Sequence, residues 1–180
     1  MACTLNKGRG EPCKDTVGGI KAVYFIDFGD LGTPTYSSAT SYEITDFSEA
    51  SITAYKYDVK GNSSLEQTIT SSRENGTTFY DQILNLTLHK LSVQSHDELT
   101  LIAVARPHVI VEDYNGNLMV VGLEHGADVN GGTVVTGGAM GDLSGYTLTL
   151  QANELRPANF ISGTLADVGI TVSATNIDDI

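Results

Sequence analysis

Four histidines and a scatter of carboxylates are the residues of this 180-residue chain suited to acid–base or metal chemistry. His89, His96, His108 and His125 are spread so that none falls at a metal-ligand spacing. Glu124 precedes His125, a sequence that offers a general base beside a carboxylate. Read as adjacent residues of an extended segment, the two point to opposite faces and do not cooperate. Asp27 and Asp30 flank Phe28-Gly29, which suits a strand end with a turn-capping aspartate better than a catalytic pair. Asp113, Asn115, Asn117 and Glu124 follow the oxygen-rich order of a calcium loop, but such a loop needs glycine at its sixth position, where Leu118 stands.

Glycine motifs fail in the same way. Gly137-Gly138-Ala139-Met140-Gly141 is followed neither by a helix pattern nor by the Lys-Ser/Thr of a phosphate loop. Ser144 sits in Gly-x-x-Ser-Gly, the wrong spacing for a nucleophile elbow. Cys3 and Cys13 have no Cys/His cluster near them and read as reduced, unpaired thiols. The sequons at Asn62, Asn75 and Asn85 are chance matches in a Ser/Thr-rich chain without a secretion signal. The sequence therefore assigns no catalytic, cofactor-binding or metal-binding residue, and the chain is expected to be non-enzymatic.

The elements that would have to position any site are mostly strands. The chain is 41% hydrophobic and 18% charged, a globular composition. Thr, Ser, Gly and Val are abundant and Lys and Arg scarce, which favours strands and turns over long surface helices. The net charge is −12, and residues 107–180 hold only Arg156 against nine acids. Phosphate backbones repel such a chain, so sequence-specific nucleic-acid binding is not expected. No apolar run is long enough to span a bilayer, and the N-terminus lacks a signal-peptide core, so the expectation is synthesis in a cytoplasm and no membrane partner.

The pattern predicts an extended arm over residues 1–19, one β-rich domain over 20–174 and an acidic tail over 175–180. Residues 20–28 are apolar at nearly every position, so both faces of that strand are expected to be covered. Strands are predicted at 42–47, 51–59 and 64–73, with turns at 60–62 and 74–76. Alternation of Leu84, Leu86 and Leu88 with polar residues gives a strand from about Ile83, with 77–82 left open to a helical turn. One short flanking helix is predicted at about 95–105, capped by Ser95 with Glu98 three residues on and Asp97 in its first turn, its stripe formed by Leu99, Ile102 and Ala103. Pro107 ends it.

Asn115-Gly116 between two β-rich runs, 108–114 and 117–123, predicts a hairpin with a type I′ turn. Residues 124–145 hold seven glycines and read as a long loop or hairpin arm, with 133–136 available to pair. A clean alternating strand follows at 146–152, then a connector at 155–163 and a weak strand at 164–174. The fold class is mainly β, an antiparallel sandwich or barrel with one helix.

This order of elements resembles the tail-tube superfamily of tailed-bacteriophage virion proteins. The resemblance rests on Tyr55-Lys-Tyr-Asp-Val-Lys-Gly-Asn62, Arg73-Glu-Asn-Gly-Thr-Thr78, Leu99 to Pro107, the 113–122 hairpin and Gly141-Asp-Leu-Ser-Gly-Tyr-Thr-Leu-Thr-Leu150, and it covers roughly residues 20–160. It implies a subunit that joins copies of itself, commonly six, into a ring whose strands form a continuous inner barrel. It also implies location in the virion tail, contact with other virion proteins, and an acidic lumen through which DNA passes. The Gly-rich segment would then supply the assembly interface, with Gly131, Gly132, Thr133, Val134, Val135, Gly137, Gly138 and Met140 as its residues. Alternatives are a head–tail connector, a head decoration or short-tail ring protein, or a carbohydrate- or ligand-binding β-domain. A sugar site wants exposed aromatics, and the chain has no Trp.

Overall fold

Alternating and β-branched sequence dominates, and it folds accordingly. The computed structural model describes residues 8–59 and 61–175. The predicted acidic tail beyond residue 175, Cys3 and Lys60 of the 60–62 turn lie outside those residues. The strands are β1 (Ile20–Ile26), β2 (Pro34–Tyr36), β3 (Glu43–Phe47), β4 (Ile52–Asp58), β5 (Ser64–Ser72) and β6 (Thr77–His89). After helix α1 (Val93–Val104) come β7 (His108–Asp113), β8 (Leu118–Val121), β9 (Asp128–Val135), β10 (Gly145–Glu154), β11 (Asn159–Ile161) and β12 (Ile170–Val172). A 3₁₀ turn, Leu165–Val168, precedes β12.

These strands form two sheets, an eight-stranded one ordered β12-β4-β1-β7-β8-β11-β3-β2 and a four-stranded one ordered β5-β6-β10-β9. One is curled into a half-barrel, so the mainly-β sandwich or barrel with a single helix is what forms. The larger sheet is mixed, because β11 joins β3 and β12 joins β4 in parallel. Both parallel pairs use three-residue strands that return from far along the chain, which alternation in sequence does not reveal.

Strand β1 shows why its sequence is apolar at every position but Lys21. Val23 and Phe25 face a core shared with Val109, Val111, Leu84, Leu86, Leu150 and the helix residues Leu99 and Ile102. Ala22, Tyr24 and Ile26 face a second core with Ile44, Ile52, Ile110, Val120, Leu165 and Val168. The larger sheet is thus covered on both faces, by the smaller sheet and helix on one and by its own curl and the 3₁₀ turn on the other.

Several local expectations are corrected. The helix starts earlier than predicted, at Val93. Ser92, not Ser95, is its N-cap, and the Ser92 hydroxyl accepts the Ser95 N–H at 3.1 Å. Two serines three residues apart both fit the cap pattern, and the one with extended backbone takes it. Asp97 and Glu98 accordingly fall outside the first turn, and Ala103 is exposed while Leu99 and Ile102 are buried. Residues 77–82 are strand, not a helical turn, because β6 runs unbroken and pairs with β5 from Thr77.

The Asn-Gly hairpin forms, but with a different turn. Of its two central residues only Gly116 has positive φ, at 82°, and its N–H donates to Asp113 O at 3.2 Å. This is a one-glycine turn with a bulge rather than type I′. The Asp113 carboxylate accepts the backbone N–H groups of Asn115 and Asn117 at 2.9 and 2.7 Å, which organises the turn. Residues 8–19 are exposed and outside any strand, and near their end Val17 and Asn115 exchange two hydrogen bonds at 2.9 and 2.8 Å.

Candidate functional site

The Gly-rich segment takes the hairpin-arm form, one of the two forms the sequence predicts, and the paired stretch is longer than residues 133–136. Its first half is not a loop: β9 pairs with β10 from Asp128 to Val135. Gly132 lies opposite Leu148, and a Cβ there would stand 2.5 Å from the Thr147 carbonyl oxygen. Glycine in this strand marks close backbone approach, not disorder. The second half, 136–144, is a tight loop. The Asp142 carboxylate accepts the N–H groups of Gly138 and Ala139 at 2.9 and 2.7 Å, and these bonds hold its pKa below the ordinary value. Gly131, Gly132, Thr133, Val134 and Val135 therefore form a sheet edge, with Gly137, Gly138 and Met140 in the loop beyond it. Val134 is 58% exposed and Met140 wholly so.

That edge has a counterpart. The four-stranded sheet ends in β5 on one side and β9 on the other, strands of nine and eight residues, and among the described residues neither is paired on its outer side. Neither contains the Lys or Pro that commonly guards an exposed edge.

The sheet has two unlike faces. Leu65, Leu84, Leu86, Leu148 and Leu150 pack inward. The residues alternating with them turn outward, and they are tied into a polar ladder. Thr149 Oγ1 donates to Asn85 Oδ1 at 2.9 Å, Gln151 Nε2 to Asp81 Oδ1 at 2.8 Å, and Asn130 Nδ2 to Gln151 Oε1 at 2.7 Å. The four strands together contain Glu66, Asp81, Asp128 and Glu154 but no Lys or Arg.

Beside β9 runs a groove of about 430 Å³ between α1 and the β9–β10 pair, lined by Leu99, Ala103, Val104, Val129, Gly132 and Leu148 among others. Sequence reading missed the helix's share of this surface. Val104 is 83% exposed, an apolar residue off the buried stripe, which is the signal that was available.

The histidines separate into distinct roles. His108 is buried. Its Nδ1 lies 2.6 Å from Gly122 O and its Nε2 accepts the Gly29 N–H at 3.1 Å, so the ring is neutral with its proton on Nδ1. Burial holds its pKa below the ordinary value. Phe28 stacks on it at 5.1 Å, and Asp27 and Asp30 sit in a turn closed by the Asp30 N–H to Asp27 O bond at 3.2 Å. His96 pairs with the Tyr146 hydroxyl at 2.6 Å. His125 is not on a strand, contrary to expectation. It lies in a turn, where its Nδ1 is 3.2 Å from Glu154 Oε2, so the alternation of strand faces does not separate it from a carboxylate.

Fold and surface together define a class, a two-sheet β-domain with one small sheet open at both edges. In comparisons with family models, with curated proteins and with solved structures, nothing matches the chain. No helix among the described residues is long and apolar enough to cross a membrane.

Proposed function

We propose that this protein is a structural subunit that assembles with copies of itself into rings, as part of a bacteriophage tail tube. The observation that carries the reading is the pair of unguarded edges, β5 and β9, on one sheet. Strand sense supports it. Each neighbour in β5-β6-β10-β9 is antiparallel, so β9 runs opposite to β5. Rotating a copy about an axis along the strands brings its β5 beside β9 in antiparallel sense. Because the two patches differ, the step repeats identically, and it makes a ring when its rotation divides a full turn.

In such a ring the apolar side of the sheet faces each subunit's own core and the polar ladder faces the lumen. Glu66, Asp81 and Asp128, with no Lys or Arg on these strands, would repel DNA phosphates and let DNA pass without sticking. The 136–144 loop, with Met140 fully exposed, is placed for contact with the next ring or another virion protein. A ring of six is what the family resemblance implies. The same edges would serve a head–tail connector or a short-tail ring.

The groove favours a second reading, a ligand-binding β-domain. Its lining is chiefly aliphatic, and its one tyrosine, Tyr146, is buried, which suits an apolar ligand better than a sugar.

Light scattering and negative-stain microscopy of purified protein test the assembly. Rings or tubes are expected. Val134→Lys, a charge placed on the free edge, should leave the fold intact and abolish them. A strictly monomeric protein at high concentration overturns the reading.

A further inference from the structure

The turn between β8 and β9 carries a donor set that assembly does not use. Glu124 and His125 sit in this turn, and Glu154, the last residue of β10, reaches into it. Glu154 is only 4% exposed. Its Oε1 accepts the backbone N–H groups of Glu124 and His125 at 3.0 and 2.9 Å. Its Oε2 faces His125 Nδ1 at 3.2 Å. Ligand atoms from the three side chains all lie within 4.8 Å of one another.

Two features set this apart from a patch of surface acids. The set is mixed, one imidazole nitrogen and two carboxylates. The buried carboxylate also has no permanent cation among the described residues. The ion-paired lysines and arginine go elsewhere, Lys21 to Glu112, Lys56 to Asp58 and Arg106 to Asp128, while Arg156 lies over the Tyr36 ring at 5.5 Å. A buried charge is stable only when compensated. Two amides compensate Oε1, whereas Oε2 has only the titratable, half-exposed imidazole.

We infer that Glu124, His125 and Glu154 bind a divalent cation of the zinc class. Nitrogen with carboxylate oxygen is the donor mix zinc takes, whereas calcium and magnesium prefer oxygen alone. The 3.2 Å between His125 Nδ1 and Glu154 Oε2 matches the edge of a tetrahedron with metal bonds of about 2 Å. Glu124 is exposed and free to swing in as the third ligand, and water takes the fourth position. Binding uses the Nδ1 lone pair. The proton that Nδ1 shares with Glu154 moves to Nε2 in the neutral ring, or leaves to solvent from the charged one, so binding weakens in acid. The cation would tie the turn before β9 to the end of β10. The inference stands apart from the assembly reading, and either can fail alone.

Titration calorimetry of the full chain, stripped with chelator and kept reduced, with zinc chloride alone is the test. One saturable site per chain is expected at neutral pH. His125→Gln and Glu124→Gln, both at exposed positions, should weaken it by more than about tenfold. Glu154→Gln should do the same, but because Glu154 also holds the turn, the two exposed variants decide the matter if it misfolds. His96→Gln should bind as the unaltered chain does. No saturable binding overturns the inference. So does a site that survives His125→Gln and disappears in Cys13→Ser, since the exposed Cys13 thiol would then be the ligand.

Discussion

The two sheets of this molecule solve the same problem in opposite ways. The eight-stranded sheet buries both faces and ends in three-residue strands, β12 and β2, too short to template another chain. The four-stranded sheet buries one face and ends in strands of nine and eight residues. One is closed in the sense that it curls over its own core and offers no long edge. The other leaves backbone hydrogen-bonding groups exposed over its full height, a hazard unless something pairs with them. Stability and assembly are therefore divided between different sheets, and substitutions should separate them.

The largest effect should come from the closed sheet. Ile110 is fully buried between β1 and the second core, so Ile110→Ala should lower the unfolding free energy by about 2–5 kcal/mol. Ile69→Ala on β5, where the side chain is 63% exposed, should change it by less than about 0.5 kcal/mol. Denaturant melts compare the two, and equal losses would erase the contrast drawn between the sheets.

Next comes Gly132→Val. Its Cβ would meet the Thr147 carbonyl, so the β9–β10 pairing must shift, at a cost of about 1–3 kcal/mol. Unlike Ile110→Ala, it should also disturb the free edge. Loss of stability with assembly intact would detach β9 from the proposed interface.

A pH effect follows from His108. Its folded pKa lies below the ordinary histidine value of 6.5, so the unfolded chain binds the proton more readily. Its contribution is complete above about pH 6.5 and is lost as pH falls toward and through the lowered folded pKa. The hydrogen bond to the Gly122 carbonyl and the charges of Glu154 and Asp30 partly oppose the shift. A single proton limits the slope to about 1.4 kcal/mol per pH unit. Stability measured between about pH 7.5 and 5 should show this loss, and His108→Gln should flatten it; an unchanged slope in that variant would assign the loss to other groups.

The smallest effect on stability, and the sharpest on assembly, should be Val134→Lys. Melts should match the unaltered chain within about 0.5 kcal/mol while rings vanish. Rings that persist would move the interface off β9.

Much of the closed sheet was legible, and less of the open one. The run at 20–26, apolar at every position but Lys21, announces a strand covered on both sides, because a strand with one wet face would alternate with polar residues. Asn115-Gly116 announces a hairpin, but which turn forms depends on Asp113, whose carboxylate gathers four hydrogen bonds from Asn115 and Asn117. The helix start was ambiguous because Ser92 and Ser95 both satisfy the cap rule locally, and tertiary packing chose. On the open sheet, the glycines of β9 left a loop and a hairpin arm both open, because the constraint that decides between them is the 2.5 Å clearance between a Cβ at Gly132 and its neighbour strand, which no local pattern records. Only the Thr-Val-Val-Thr run at 133–136 read as able to pair, and it marks the far end of the strand that forms. The Glu124–His125–Glu154 cluster was illegible because His125 and Glu154 lie 29 residues apart and meet only when β10 is in register.

Strand β1 belongs to two cores at once, and this governs how the molecule comes apart. Neither hydrophobic cluster can loosen without stripping one side of β1, so the two melt as one event rather than in stages. Amides of β1 and of its neighbour β7 should accordingly exchange with heavy water only through whole-molecule opening, long after those on the rim of the smaller sheet have done so.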